Sequence, residues 1–556
     1  MKREEFKVVS ASAVGTAFEW YDFFLYASLV PVIGGKFFGG YSETTQTVFA
    51  LLTFSVGFLV RPIGAVIFAR LGDKVGRKAV FLLTLIIMGA STVVVGLLPT
   101  AEQIGAAAPA LLLVCRIAQG LAVSGEFGAA VTYVAEYAPR NQRSYYVGWL
   151  SGTTALAFSL SLAVQLAVQS AVGADAFASW GWRIPFVISV LPLGFSVWIR
   201  SKLNESPLFL KMKEQGSHAK APLREALRDK RHRRMIAVVF LMAAAQSIIG
   251  YLSTVYMLTA MRTSFQVDSL TISWIFMLVF LIGFFLCVFF SWLSDRIGRR
   301  KVMISGLVLA AVTLFPVFNA LTGAANPQLA KAQSNVDVIL RANPHECSFQ
   351  FNPAGNRKFT SACDRARAVL QTSSVKFRRE DVSGATEVVV DGRHVTAGPE
   401  MEQNITAAVQ HAGYPVAGAA IKVSGITGFL SLPALKVVAL LLLLVAYAQM
   451  AQGPAATAMA EVFPTRIRST AMSLPYQAGV GIFGGFLPAT VVAVGAETGS
   501  VTSALWYPVV AMAVGAVVLF FVLPETRGVD LAEIGGDNPM TTDTATAPVA
   551  HEVPGE

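Results

Sequence analysis

One seven-residue pattern occurs twice in this chain, and each copy lies between two long apolar runs. Residues 72–78 have the sequence GDKVGRK, and residues 294–300 have the sequence SDRIGRR. A second pattern, a glutamate followed seven residues later by an arginine, occurs at 136–143 and again at 461–468. Two patterns repeated in the same order predict that the chain contains two copies of one structural unit. Paired halves in an apolar chain are typical of transporters.

The spacing between the copies locates an insertion in the second half. Asp73 and Asp295 are 222 residues apart, whereas Glu136 and Glu461 are 325 residues apart. About 103 additional residues therefore lie between the second copies of the two patterns. The sequence becomes polar in this stretch, and we predict an inserted segment at 323–433.

The composition excludes an ordinary soluble globular protein. Hydrophobic residues make up 54% of the chain and charged residues only 14%, whereas about 25% of the residues of a soluble domain are charged. A helix needs about 20 apolar residues to cross the hydrocarbon core of a bilayer. Twelve stretches approach or exceed this length, at about 8–33, 47–70, 79–99, 107–136, 144–172, 183–200, 235–258, 270–292, 302–322, 434–458, 472–494 and 504–524.

These observations predict an all-α membrane protein. We expect twelve transmembrane helices in two pseudo-symmetric six-helix halves, with an inserted outer-side domain between helices 9 and 10. The predicted divisions are an N-terminal six-helix half at 1–200, a cytoplasmic linker at 201–234, a C-terminal six-helix half at 235–528 that contains the insert at 323–433, and a disordered tail at 529–556.

The basic residues predict the orientation. Lysines and arginines are concentrated in the repeated turns and in the linker at 201–234, and an excess of basic residues marks cytoplasmic loops. We therefore expect both termini in the cytoplasm and the insert on the outer side. The formal net charge of +10 is explained mostly by this topology, so we predict no nucleic-acid partner.

The insert has features of a small folded domain. Cys347 and Cys363 are its only cysteines, and in an oxidising compartment such a pair is predicted to form a disulfide. Residues 387–395 have the pattern of a hairpin around an Asp-Gly turn, and 361–371 and 400–411 are candidate short helices. Substrate capture, partner docking and a passive decoration all remain open as roles for the insert.

Charged residues within predicted spans are candidates for ion coupling, because a charge in the membrane is costly. The proton-coupling candidates are Glu19, Asp22, Arg116 and Glu126, and none has a charged counterpart in the second half. Protonation of Asp22 would release Arg116, which could then hold a substrate carboxylate, and Glu126 could carry the proton onward. The alternative is that Asp22 and Arg116 form a static buried bridge.

The substrate-binding candidates are polar or amphipathic residues of the spans: Tyr26, Arg116, Gln119, Gln246, Tyr251 and Gln449. Any of them can instead pair helices. The gating candidates are the acids and arginines of the repeated patterns, which would form a cytoplasmic ion-pair lock in the outward-open state: Asp73, Arg77, Glu136, Arg143, Asp295, Arg299, Glu461 and Arg468. The alternative is that these basic residues only set the topology.

The whole pattern resembles the major facilitator superfamily, and within it the metabolite:proton symporter group. Besides the repeated turns, the resemblance rests on five motifs: GTAFEWYDF at 15–23, RPIG at 61–64, GEFG at 125–128, WGWRIPF at 180–186 and EVFPTR at 461–466. It covers most of 8–322 and 434–528, and the insert is not part of the family pattern. The resemblance implies proton-driven uptake of small metabolites, typically carboxylates such as citrate, oxoglutarate and shikimate, or zwitterions such as proline and betaine.

We therefore predict a secondary active transporter that symports protons with a small organic acid across a bacterial inner membrane. The alternatives are a proton symporter of compatible solutes such as proline or betaine, and a membrane receptor that senses a ligand through the insert without moving it. No enzymatic activity, cofactor or metal site is expected. The predicted partners are the small-molecule substrate, protons and membrane lipid, and the predicted state is a monomer.

Overall fold

The structure is a computed structural model that describes residues 3–75, 77–124, 126–201, 227–348, 360–415, 419–464 and 467–531. Helices make up most of these ranges. Most of the predicted linker, 202–226, and most of the predicted tail, 532–556, lie outside the described residues.

The first half consists of helices joined by short turns. Several helix ends follow local sequence signals: the Ser42 hydroxyl accepts a hydrogen bond from the backbone N–H of Thr45 and so caps the helix that starts at Glu43. A π-helical turn lies at Phe177–Gly181. The helices are Arg3–Ser28, Val30–Phe37, Glu43–Leu59, Arg61–Val75, Arg77–Leu97, Ala101–Ile104, Ala107–Val123, Glu126–Tyr137, Arg143–Val172, Ala174–Ala176, Arg183–Ile188 and Val190–Ser201.

The second half is also mostly helical and contains the insert. Asp268 caps the helix that starts at Ser269, because its carboxylate accepts from the backbone N–H of Thr271 at 2.9 Å. π-Helical turns lie at Leu252–Tyr256 and Val480–Gly485. The helices outside the insert are Lys230–Tyr251, Met257–Thr263, Ser269–Ile297, Arg299–Ala325, Leu432–Glu461, Arg468–Gly479, Leu487–Thr498, Val501–Ala504 and Trp506–Val522.

The part of the chain that the structure describes does not confirm the twelve expected membrane-spanning helices. Among the described residues, eight helical stretches are long and apolar enough to cross a membrane, or nine if the pair bent between Ala174–Gly181 and Arg183–Trp198 is one span. Two shorter apolar helices lie at Leu82–Leu97 and Ala107–Val123. The expected span at 107–136 contains the helices Ala107–Val123 and Glu126–Tyr137, and residue 125 between them lies outside the described residues.

The two halves pack against each other along long helices. Helix Arg143–Val172 of the first half lies against helix Ser269–Ile297 of the second. At Gly148 the helices approach so closely that a Cβ atom would lie 2.5 Å from the Cβ of Ser291, which is the close packing that glycine permits in membrane helices. Helix Ser269–Ile297 also defines two ends of the molecule. We call the end near Ile297, with the repeated turns, the turn end, and the end near Ser269 the insert end.

The insert forms a small α/β domain with its own apolar core, which departs from the all-α prediction. Its strands are β1 (Val338–Ala342), β2 (Arg378–Asp381), β3 (Glu387–Val390) and β4 (Arg393–Thr396). They form one sheet in the order β2-β1-β3-β4, with β1 parallel to β2 and antiparallel to β3. The predicted hairpin is confirmed, since β3 and β4 are antiparallel around Asp391 and Gly392, both with positive φ. The predicted short helices are also confirmed. The helices of the insert are Pro327–Asn335, Ala362–Thr372 and Met401–His411.

A disulfide and a dense apolar core hold the insert together. Cys347 and Cys363 are bonded, with their Cα atoms 5.2 Å apart. Leu340 of the sheet and Leu370 and Ile405 of the two helices are fully buried in the same core. The first half also contacts the insert, because helix Ala362–Thr372 packs against helix Glu43–Leu59.

Candidate functional site

A network of buried ion pairs closes the turn end. Glu461 accepts from Arg143 at 2.8 Å and from Arg299 at 3.2 Å, and Arg299 also pairs with Asp295 at 2.7 Å. The pairs cross between the halves, because Arg143 belongs to the first half and Glu461 to the second. In a second pair between the halves, the arginine comes from the second half and the acid from the first: Arg468 pairs with Glu136 at 2.9 Å.

Asp295 makes a further connection between the halves. Its two carboxylate oxygens accept from the backbone N–H groups of Ser144 at 3.1 Å and Tyr145 at 2.8 Å. These residues are in the first turn of helix Arg143–Val172, where the helix dipole favours a negative charge. A carboxylate of the second half therefore caps a helix of the first.

Burial makes this network energetically important. The Arg143, Glu461 and Arg299 side chains are at most 5% exposed, and removing one member of a buried ion pair costs about 3–5 kcal/mol because the other charge is left without a partner. Asp73 and Arg77, the corresponding residues of the first copy, are in helices Arg61–Val75 and Arg77–Leu97. Their side chains lie outside the described residues.

The segment after the last helix joins this network. The Thr526 hydroxyl donates to Glu461 at 2.7 Å, and the carbonyl oxygens of Val529 and Leu531 accept from Arg143 at 3.1 Å and from Arg468 at 3.3 Å. Residues 529–531, which fall within the predicted disordered tail, are therefore ordered. A chain segment that bonds to arginines of both halves adds to the closure of the turn end.

The centre of the molecule contains a cavity of about 60 Å³ between the halves. Three of the predicted substrate-binding residues, Gln246, Tyr251 and Gln449, line it together with Trp20 and Tyr476. Among the described residues, those that line this cavity carry no formal charge. The cavity offers aromatic faces and amide groups and is smaller than the roughly 300–1,000 Å³ of typical ligand sites, so binding of a solute requires its walls to move apart.

The other predicted substrate-binding residues form a packed cluster inside the first half. Arg116 donates to Gln119 at 2.7 Å, and Gln119 donates to Thr92 at 2.7 Å. The guanidinium carbon of Arg116 lies 3.4 Å from the centre of the Tyr26 ring. Arg116, Gln119 and Asp22 line a small cavity of about 10 Å³ that is separate from the central one. Tyr26, Arg116 and Gln119 therefore do not line the central cavity.

The remaining proton-coupling candidates have side chains outside the described residues. Glu19 is in helix Arg3–Ser28, with Asp22 and Tyr26 on the same helix. Glu126 begins helix Glu126–Tyr137.

Arg61 is a buried charge that the sequence-based selection missed. It is 2% exposed, and its guanidinium carbon lies 4.0 Å from the centre of the Phe58 ring, 4.9 Å from that of Phe23 and 5.7 Å from that of Trp20. Such contacts are cation–π interactions. The signal that could have identified Arg61 is its place within the apolar stretch 47–70. Trp20 also lines the central cavity, so its ring is next to both that cavity and the Arg61 guanidinium.

Comparisons with known proteins agree with this architecture. The family model of the Major Facilitator Superfamily matches residues 12–318, and that of the Sugar (and other) transporter family matches residues 407–537. The chain is similar to the Proline/betaine transporter of Escherichia coli strain K12, at 37% identity over 326 residues, 56% of this chain and 64% of that protein. It is also similar to the Shikimate transporter of the same strain, at 34% identity over 316 residues, 56% of this chain and 71% of that protein.

A solved structure supports the same fold. The xylose transporter XylE from E. coli, in a partially occluded inward open conformation, matches with a TM-score of 0.61 at 14% identity, over 95% of this chain and 99% of that one. At this identity the likeness concerns the fold alone. The match to the Proline/betaine transporter spans less than two thirds of that relative's length. The model of the Major Facilitator Superfamily covers more than half of this chain. This multi-pass membrane chain therefore belongs to the Major Facilitator Superfamily.

Proposed function

We propose that this protein is a proton symporter that imports a small zwitterionic solute of the proline or betaine kind. The observation that carries the proposal is the central cavity between the halves, which is lined by aromatic rings and glutamine amides and by no charged side chain among the described residues. A solute with net charge in such a cavity would need a buried counter-charge, because an unpaired charge in a low-dielectric site is very costly. A zwitterion has no net charge.

The cavity chemistry suits both ends of a zwitterion. The amide groups of Gln246 and Gln449 can donate hydrogen bonds to a carboxylate. The rings of Trp20, Tyr251 and Tyr476 can attract an ammonium group through its contact with an aromatic face. The similarity to the Proline/betaine transporter supports the same substrate class.

A small organic acid, the substrate expected from the sequence, is the second candidate. Its support is the pair of buried guanidinium groups, Arg61 and Arg116, which line the small cavity of the first half, and the similarity to the Shikimate transporter. Both guanidinium groups lie against aromatic rings. An acid would have to draw one of them away from these contacts, which disfavours this candidate.

Proton coupling is assigned to Asp22 in this proposal. Asp22 is buried and lines the same small cavity as Arg61 and Arg116, so a change in its charge acts on both guanidinium groups at short range. Protonation of Asp22 would remove the negative charge that attracts the Arg116 guanidinium. It would also loosen the packing of the side chains next to Trp20. Glu19 and Glu126 remain alternative coupling sites.

The orientation is also part of the proposal. The basic residues of the turn end support a cytoplasmic position for that end, so the ion-pair network is a cytoplasmic gate that is closed in this conformation. The insert would then lie on the outer side, both termini in the cytoplasm, and the membrane would be the bacterial inner membrane.

Uptake into proteoliposomes tests the function. Purified protein in liposomes that are more acidic outside should accumulate radiolabelled glycine betaine or proline, and a protonophore should abolish the accumulation. Gln449→Ala should lose most of the uptake, whereas Gln328→Ala, at an exposed glutamine of the insert, should retain it. Accumulation of shikimate or citrate in place of the zwitterions would favour the second candidate. Absence of flux for every solute would exclude a transporter and favour the receptor.

A further inference from the structure

A second and much larger cavity lies at the insert end of the molecule. Its volume is about 590 Å³, within the roughly 300–1,000 Å³ of typical ligand sites. Residues within 371–377 and 409–415 of the insert form one wall, and residues within 43–47, 256–267 and 491–502 of the two halves form the other. The insert therefore encloses a space that the helix ends alone would leave open.

The insert wall is fixed to the second half by specific bonds. The guanidinium group of Arg367, which is buried, donates to Glu497 at 2.9 Å, and the Gln371 amide donates to the carbonyl oxygen of Ala496 at 2.8 Å. The backbone N–H of Phe377 donates to the carbonyl oxygen of Gly499 at 3.1 Å. Gly499 has φ +69°, and a Cβ atom there would collide with the backbone oxygen of Phe377. This close approach needs glycine.

The cavity contains charges of both signs. Arg262 and Lys376 supply cations from opposite walls, and Glu43 supplies a carboxylate from the first half. Glu43 is near enough to Arg262 for the two charges to interact, although no ion pair within 4.0 Å joins Arg262 to a carboxylate among the described residues. The rings of Tyr256 and Phe265 lie in the same wall as Arg262. A cavity lined by both cationic and anionic groups is complementary to a zwitterion.

This cavity and the central one meet along one helix. Tyr251 and Thr254 line the central cavity, whereas Tyr256 and Ala260 line the larger one. The helix rise of 1.5 Å per residue places Tyr251 and Tyr256 only about 7–8 Å apart along the axis. The π-helical turn Leu252–Tyr256 lies between them, and π-helical turns are frequent at functional sites.

We propose that the insert and the helix ends form an entry site that binds the transported zwitterion before it reaches the central cavity. The solute carboxylate is held by Arg262 and Lys376, and its ammonium group faces Glu43 and the ring of Tyr256. This inference rests on the proposed function, since the same solute occupies both sites in turn. It gives the insert a direct part in substrate capture.

Protection of an engineered thiol tests the site in intact cells with a membrane-impermeant alkylating reagent. The chain has four cysteines, of which Cys115 and Cys287 are buried and the other two are bonded to each other. A new cysteine at Ser373, which lines the cavity, is therefore a selective label. Ser334→Cys, at an exposed residue of the insert outside the cavity, is the matched control.

Saturating glycine betaine should slow alkylation of Ser373→Cys and leave Ser334→Cys unchanged. The protection should persist when Gln449→Ala is added, because that change weakens only the central site. Arg262→Gln should raise the betaine concentration needed for protection and the KM for uptake by roughly tenfold, because a charge-assisted hydrogen bond is lost, with little change in the maximal rate. Arg262→Lys should restore most of the affinity.

The outcomes separate the entry site from the proposed function. Normal betaine uptake without protection of Ser373→Cys, or protection that disappears with Gln449→Ala, would overturn the entry site and leave the transport function standing. Absence of both uptake and protection would overturn both. If Ser373→Cys does not reach the membrane, Thr502→Cys on the opposite wall of the cavity carries the same test. No labelling from outside at any of these positions would also refute the proposal.

Discussion

Replacing Glu461 by glutamine should open the turn end of the transporter. Glu461 is 1% exposed and accepts from Arg143 at 2.8 Å, from Arg299 at 3.2 Å and from Thr526 at 2.7 Å. Glutamine preserves the volume and removes the charge. Of the three contacts, the one with Arg143 joins the two halves, and it exists only while this end is closed.

The size of the effect follows from that contact. A hydrogen bond to a charged group contributes about 1.5–3 kcal/mol, and every 1.4 kcal/mol changes an equilibrium constant about tenfold. Glu461→Gln should therefore shift the equilibrium between the closed and the open turn end by about 10-fold to 150-fold towards the open form. The opposite Arg468–Glu136 pair remains, so the shift is partial.

A buried cysteine reports the shift. Ser291 is fully buried and lies at a close approach of the halves near Gly148. In a background that lacks Cys115 and Cys287, Ser291→Cys should be alkylated much faster in Glu461→Gln than in the unmodified protein. The matched control is Glu402→Gln.

The control separates the lock from a general effect of charge removal. Glu402 pairs with Arg365 at 3.6 Å on the exposed surface of the insert, where an ion pair contributes about 0–1 kcal/mol. Glu402→Gln should therefore leave alkylation unchanged. Equal alkylation rates of Ser291→Cys in the two variants would refute the idea that Glu461 holds the turn end closed.

Three further predictions concern coupling and the insert. Asp22→Asn should abolish accumulation driven by a pH gradient while sparing counterflow exchange, and full accumulation would exclude Asp22 as the coupling site. Gly499→Ala should loosen the attachment of the insert, because a left-handed backbone costs about 1–2 kcal/mol for a residue with a Cβ. Limited proteolysis should detect this as faster cleavage. Gly384→Ala, at a glycine with open space around it, should be cleaved like the unmodified protein. Replacing Cys347 and Cys363 by serine should destabilise the insert by about 3 kcal/mol through loop entropy, measured by hydrogen exchange, and two free thiols in the exported protein would contradict the premise.

The features that could be predicted from the sequence are those set by local chemistry. The hairpin at 387–395 was predictable because an Asp-Gly pair readily adopts the positive φ values that Asp391 and Gly392 show. The apolar runs likewise predicted membrane helices, since their length matches the bilayer.

The features that could not be predicted depend on contacts between distant residues. The acids and arginines of the repeated patterns could be recognised in the sequence. The pairing of Arg143 with Glu461, 318 residues away, could not. Arg61 was overlooked because its partners are aromatic rings rather than carboxylates. The cavity beneath the insert arises from docking at Gly499, and nothing in the local sequence of either segment indicates that they meet.

The crosswise ion pairs at the turn end have the form of a two-fold dimer contact. Arg143 of the first half meets Glu461 of the second, and Arg468 of the second meets Glu136 of the first, at nearly equal distances. In an isologous interface between identical subunits, residue i contacts residue j and j contacts i. The chain thus keeps, within one polypeptide, an interface that two copies of an ancestral half could have formed as separate subunits.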